Sequence, residues 1–144
     1  MPATSALEKN FNSVFSLVKK LFLFLPSVCI ALAILVGSLV QSPDKLPLPS
    51  FNGWDKVVHA VMYLVLAAAL QNDLRKASIN GIKAIITTAL FCPLYGGLME
   101  WLQARLTLSR SADVWDWIAD CVGTCAGIII VHILWKNHRK ETTC

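Results

Sequence analysis

Charge is scarce in this chain. Asp, Glu, Lys and Arg make up only 15% of its 144 residues, while 56% are hydrophobic. A soluble domain carries about 25% charged residues, so the supply here is too small for a water-facing shell and points to a membrane protein. The chemistry-bearing motifs of the common enzyme classes are missing as well. There is no C-x-x-C, no H-E-x-x-H, no G-x-S-x-G and no phosphate-binding loop, so no redox pair, zincin site, nucleophile elbow or nucleotide cradle is legible. Five cysteines occur without a framework. Cys29, Cys92, Cys121 and Cys125 fall inside apolar runs and Cys144 is the last residue, a distribution that suits small buried hydrophobes better than disulfides. Cys121 and Cys125 share a helix face, but they lack a histidine nearby. No internal repeat and no low-complexity segment is present.

The chain does have long hydrophobic runs. Four of them, at about 21–40, 54–71, 82–101 and 114–135, are each sufficient to cross a hydrocarbon core of about 30 Å as a helix. The expected fold is therefore all-α: a polytopic four-helix bundle over 21–135. A cytoplasmic lead-in over 1–20 precedes it, and a basic tail follows over 136–144. In the lead-in, Ser5 and Glu8 have capping-box spacing, and Leu7, Phe11, Val14, Phe15 and Val18 recur on one side. That pattern predicts a short amphipathic helix on the membrane surface, with Lys9, Lys19 and Lys20 facing anionic lipid; a downward extension of the first span is the other reading. The first span carries no charge, is too long for a signal-peptide core, and has Pro26 in its second turn, where a kink is tolerated. Pro43, Pro47 and Pro49 stiffen the loop over 41–52, and Gln71 to Lys83 reads as a polar connection.

Against this apolar background the polar positions fall into three groups. Asp55, His59 and Tyr63 recur at i, i+4 and i+8 at the head of the second span, with Lys56 beside them. They share one helical face. The third span is expected to break at Pro93 and to loosen at Gly96 and Gly97, a bend that would aim Glu100, followed by Gln103. The fourth opens with Arg110, Asp113, Asp116 and Asp120 and continues with Gly123 and Gly127. From Asp113 to Gly127 the steps of three and four make one seam, acids first and glycines after, where a second helix could approach closely.

Basic residues set the expected sidedness. The N-terminal segment, the middle connection and the tail carry nine: Lys9, Lys19, Lys20, Arg75, Lys76, Lys83, Lys136, Arg139 and Lys140. The other side carries Lys45, Lys56, Arg105 and Arg110. The positive-inside rule then places both termini in the cytoplasm, and all three polar groups at the outward boundary. Five acids there (Asp55, Glu100, Asp113, Asp116, Asp120) meet three fixed cations (Lys56, Arg105, Arg110). The surplus invites a divalent cation on His59, Glu100, Asp116 and Asp120, a protonated His59, a proton kept by a desolvated Asp120, or the amine of a ligand. A salt-bridge lattice, Arg110 to Glu100 or Asp116, is the structural alternative. At the opposite ends of the spans His132 is the sole polar candidate.

Taken in order, Asp55-Lys56-x-x-His59-x-x-x-Tyr63, then Glu100-x-x-Gln103, then Arg110-x-x-x-x-x-Asp116-x-x-Ala119-Asp120-x-x-Gly123-x-x-x-Gly127 resembles the VanZ-like family of small bacterial membrane proteins. The resemblance covers about residues 54–127. It departs at Asp120, where the family usually has Asn, so this chain carries an added negative charge. The family takes its name from a member associated with teicoplanin resistance. The resemblance therefore implies a multi-pass protein of the bacterial inner membrane with a role at the outer face of the envelope.

Three functions compete on these residues. The first is binding or shielding of an outer-leaflet lipid or lipid-linked envelope molecule by Asp55, Lys56, His59, Tyr63, Glu100, Gln103, Arg110, Asp113, Asp116 and Asp120. The second is an integral membrane enzyme acting on such a head group, with His59 and Glu100 as acid and base and Asp116 with Asp120 holding a divalent ion. The third is proton-coupled transport through His59 and Asp120, for which the inner ends supply little. No feature points to nucleic acid.

Overall fold

The computed structural model describes residues 11, 13–16, 18–19, 22–39, 53–106 and 113–141, and nearly all of them are helical. Four helices carry the fold: α1 (Leu25–Leu39), α2 (Trp54–Lys76), α3 (Ile82–Leu106) and α4 (Val114–Glu141). Three stretches, Trp54–Lys76, Ile82–Leu106 and Val114–His138, are long and apolar enough to cross a membrane. The shortest has 23 residues, or about 35 Å of helix at 1.5 Å per residue. α1 has 15 residues and is the short member of the set. The capping box at Ser5 and Glu8 and the proline loop over 41–52 lie outside the described residues. In the lead-in, Phe11, Val14, Phe15 and Val18 are helical and exposed.

Burial runs opposite to that of a soluble protein. Val61, Leu90, Leu94, Val122, Ile129 and Leu134 are each more than half exposed, whereas His59, Gln71, Asp73, Glu100, Asp116 and Asp120 are buried. An apolar exterior around a partly polar interior is what a helical protein needs when its surroundings are hydrocarbon.

α2 and α4 form the most intimate pair, and the glycine seam explains why. A Cβ on Gly123 would run into the Ala60 carbonyl group, and one on Gly127 would sit 2.5 Å from the Leu64 carbonyl oxygen and 3.0 Å from Ala67 Cβ. Backbone meets backbone only because those hydrogens replace side chains. Around this seam Tyr63, Leu66, Ala67, Leu70 and Leu74 of α2 pack with Ile34, Ala84, Cys92 and Met99.

Two expectations about helix limits are corrected, those for Pro93 and for the end of the second span. Pro26 is the second residue of α1, in the first turn, where a missing N–H removes no intrahelical bond, and the helical residues before it give way to a turn at Phe24. α3 is not broken at Pro93 but continues from Ile82 to Leu106. α2 does not stop near Leu70; it runs on to Lys76 because its last turns bury Gln71 and Asp73 instead of exposing them. It then closes with Ser78 N–H donating to the Arg75 carbonyl at 2.9 Å and Ile79 N–H to the Leu74 carbonyl at 2.8 Å. Ser78, at φ 66°, occupies the left-handed position that such an ending usually gives to glycine.

Candidate functional site

Three helix ends meet at one end of the bundle. α2 contributes Asp55, Lys56, His59 and Tyr63 from successive turns, α4 contributes Asp113, Asp116 and Asp120, and the last turns of α3 contribute Glu100 and Gln103. His59 Nδ1 lies 3.0 Å from Asp120 Oδ1, and both side chains are at most 5% exposed. Lys56 Nζ donates to Asp113 Oδ2 at 3.2 Å and to Asp116 Oδ1 at 3.3 Å. Glu100 Oε2 accepts the Asp113 backbone N–H at 2.9 Å, which ties the end of α3 to the start of α4. Tyr63 is 1% exposed and sits one turn below His59.

Small residues make room for this cluster. A Cβ on Gly96 would stand 2.5 Å from Asp120 Oδ2, so α3 accepts the Asp120 carboxylate only because position 96 has no side chain. Trp117 Nε1 donates to the Pro93 carbonyl at 2.9 Å, fixing the same two helices one turn away. Pro93 thus serves the site as an acceptor within a continuous α3.

Asp113 has a different role from the seam acid that the spacing predicts. It precedes the first residue of α4, and its Oδ1 accepts the Trp115 N–H at 2.8 Å, which is N-cap geometry. That amide, with Lys56 after it, holds the Asp113 carboxyl below the usual carboxylate range. Gln103 also has a structural bond, donating to the Ser38 carbonyl near the end of α1 at 3.2 Å. Asp55 is exposed at the rim. Arg110, expected to pair with Glu100 or Asp116, lies outside the described residues; Lys56 fills the pairing role with Asp116.

The cation groupings also differ from expectation. Asp116 and Asp120 do not belong to one set. Asp55, His59 and Asp116 form one trio and His59, Glu100 and Asp120 a second, each with ligand atoms within 4.8 Å of one another. The members of the second trio are all buried, and Glu100 Oε1 and Asp120 Oδ2 have no hydrogen-bond partner among the described residues. The Tyr63 hydroxyl is likewise buried without one. Cys121 and Cys125 are free thiols, half-buried and exposed, and neither belongs to these two trios.

Beside the cluster runs an apolar groove of about 430 Å³ between α2 and α4. Val57, Val61, Leu64, Trp115, Ile118 and Val122 line it, together with Lys56 at the end nearest the start of α2. Ala60, Ala119, Gly123 and Ala126 keep the floor shallow in side-chain atoms.

The opposite end of the bundle is more polar than the sequence suggests. Asp73 is 1% exposed, and its Oδ2 accepts both the Ser27 N–H at 3.1 Å and the Ser27 hydroxyl at 2.8 Å. Gln71 Nε2 donates to Thr88 Oγ1 at 3.2 Å, and both residues are buried. His132, the expected candidate, is exposed instead. The signal for Asp73 was available in the i,i+3 and i,i+4 register with Leu66, Ala67 and Leu70, which continues the buried face of α2 past Leu70 to Leu74.

No protein-family model, curated protein or solved structure matches this chain.

Proposed function

We propose that this is a VanZ-like, multi-pass protein of the bacterial inner membrane whose four helices form a bundle with both termini in the cytoplasm. In this reading the polar end faces outward, and it binds or shields an outer-leaflet lipid or lipid-linked envelope component. The observation that carries the reading is the groove: an apolar channel on the α2–α4 face ends beside Lys56, which is itself clamped by Asp113 and Asp116. An acyl chain fits the channel, and a head group would then lie among Lys56, Asp55, Asp113 and Asp116. With three carboxylates around one ammonium, that rim suits a head group bearing an amine or sugar hydroxyls better than a bare phosphate. The nine-to-four distribution of basic residues supports the orientation, and the ordered motifs from Asp55 to Gly127 support the family. Occupancy of such a site would alter how amphiphilic glycopeptides reach the membrane surface.

The test is to fill the channel. Ala119→Trp should abolish co-purification of lipid in native mass spectra of gently solubilised protein, while Ile133→Trp, on an exposed apolar surface away from the groove, should leave it intact. Equal lipid retention in both variants would defeat the proposal.

A second reading, chemistry on the same head group, draws on the 3.0 Å contact between His59 and Asp120. A carboxylate that orients an imidazole is a common way to prepare a general base. Glu100, in the same trio, would act as the acid. Lipid profiles of cells carrying His59→Ala distinguish the two readings: a head-group species that accumulates only in the variant supports catalysis, and unchanged profiles favour binding alone.

A further inference from the structure

We propose that His59, Glu100 and Asp120 form a buried site for one first-row divalent cation of the zinc or manganese type. The inference starts from hydrogen-bond accounting. A buried carboxylate oxygen without a partner forfeits its hydration with nothing in return, and here two such atoms, Glu100 Oε1 and Asp120 Oδ2, belong to the same trio. Glu100 is 6% exposed and Asp120 1%. The Tyr63 hydroxyl, a third unpartnered polar atom, lies within electrostatic range of both. Three helices would hardly bury three unsatisfied oxygens in one place for packing alone.

Charge selects the occupant. Two carboxylates and a neutral imidazole carry a charge of minus two, and a divalent ion brings the unit to zero, which is the least costly state in a poorly polarisable interior. A protonated His59 would leave one negative charge uncompensated. Lys56 is already committed to Asp113 and Asp116. Geometry permits the occupant. Ligand atoms around a tetrahedral zinc stand about 3.4 Å apart, as Zn–N and Zn–O distances of about 2.1 Å require, and these three lie within 4.8 Å. Rotamer adjustments of order 1 Å would bring them together. One nitrogen and two oxygens favour zinc or manganese over magnesium or calcium, which prefer all-oxygen shells. Three protein ligands leave a coordination position open, and the buried Tyr63 hydroxyl is a donor without a partner among the described residues in the same region. Gly96 belongs to the device, since its missing side chain is what admits Asp120 Oδ2.

The site does not depend on a lipid in the groove, and its test reads metal rather than lipid. The full-length chain, purified in detergent without a histidine tag, is analysed for metal by plasma mass spectrometry and then stripped and titrated with ZnCl2, MnCl2 and MgCl2. About one zinc or manganese ion per chain is expected, with a melting temperature that rises by several degrees on adding either salt but not MgCl2. Glu100→Gln and Asp120→Asn, which keep size and shape, should each lower affinity by about tenfold or more. Asp73→Asn, at the opposite end of the bundle, should bind as the unaltered protein does. Co2+ provides a second readout in the unaltered protein: visible absorption that shifts on binding and is lost in His59→Gln. Absence of both a zinc or manganese response and a Co2+ spectrum in the folded unaltered protein would overturn the assignment. So would unchanged binding in Glu100→Gln and Asp120→Asn.

Discussion

Gly123→Ala is the most demanding single-methyl perturbation available in this molecule. The added Cβ would press on the Ala60 carbonyl group, with the carbonyl carbon at 2.8 Å and Cα at 2.9 Å. Those atoms are backbone, so no rotamer change relieves the contact, and α2 and α4 must part. Restoring ordinary carbon–carbon contact at about 3.5–4.0 Å requires a separation of about 1 Å. His59 adjoins Ala60, and Asp120 lies one turn before Gly123, so the 3.0 Å contact between them would open to about 4 Å and cease to be a hydrogen bond. Overpacking of this kind costs about 1–3 kcal/mol, and the upper part of that range applies because backbone cannot yield. Unfolding in mixed micelles with increasing SDS measures the loss directly. Gly37→Ala serves as the control: a Cβ there meets nothing within 4 Å, and alanine should leave the midpoint unchanged or raise it by up to about 1 kcal/mol through helix propensity. If Gly123→Ala unfolds at the same SDS fraction as Gly37→Ala, the close approach of α2 and α4 is not as described, and the placement of the site falls with it.

Other substitutions probe separate parts of the fold. Asp73→Ala strands the Ser27 N–H in the interior, while the Ser27 hydroxyl keeps the Phe24 carbonyl at 3.1 Å as an acceptor, and should cost about 1–3 kcal/mol in the same assay; Ser27→Ala, which leaves the buried N–H bonded to Asp73, should cost less. Ser78→Gly relieves a left-handed residue and should stabilise by about 1 kcal/mol, an increase that Ser78→Ala should not give. Tyr95 donates to the Ala31 carbonyl at 2.6 Å, so Tyr95→Phe should loosen α1 from α3 by about 1 kcal/mol, seen as faster amide exchange in α1 with α2 unaffected. For Asp113 the folded carboxyl titrates below its unfolded value of about 3.9, so its contribution is complete above that pH and is lost as pH falls through the depressed value. Exchange of the Trp115 amide should therefore accelerate on acidification below about pH 4, and Asp113→Ala should abolish that dependence while raising exchange at neutral pH.

Much of this arrangement is written in the spacing of residues. The steps of three and four that link Asp116, Asp120, Gly123 and Gly127 mark one face of a helix, and that face is the one α4 buries. The same register brings Asp55, His59 and Tyr63 down one side of α2. What the sequence does not disclose is pairing across helices, because a one-dimensional pattern records which face a residue occupies and not what lies opposite. Hence Asp113 reads as another seam acid, although its position one residue before α4 makes it a cap. Asp116 and Asp120 look like partners by spacing, yet Lys56 draws one and His59 the other. Pro93 reads as a break because its ring removes a donor, but a packed helix tolerates one lost bond, and its carbonyl is used by Trp117. Gln71 and Asp73 look like the start of a loop because they are polar; polarity marks a surface only when the surroundings are water.

Asp73 and Asp120 make the strongest internal comparison. Both are on helices long and apolar enough to cross a membrane, and both are 1% exposed. Asp73 is nevertheless better provided for: Oδ2 takes two hydrogen bonds from Ser27, and Oδ1, which has no hydrogen bond among the described residues, faces the Lys76 ammonium at 3.7 Å. Its burial is explained by the junction it makes between α1 and α2. Asp120 has one neighbour, His59, at Oδ1, and an Oδ2 with no partner, next to a glutamate in the same condition. Each acid has one oxygen without a hydrogen bond among the described residues, so what separates them is charge compensation: a lysine ammonium stands beside Asp73, whereas a second carboxylate stands beside Asp120. That contrast predicts opposite outcomes for one chemical change. Asn at position 73 should weaken the fold and leave metal binding alone. Asn at position 120 should leave the fold at least as stable in metal-free buffer and abolish the stabilisation that zinc or manganese confers. If Asp120→Asn destabilised the metal-free protein as much as Asp73→Asn does, the unpartnered oxygen would be structural, and the case for a ligand at that end would be lost.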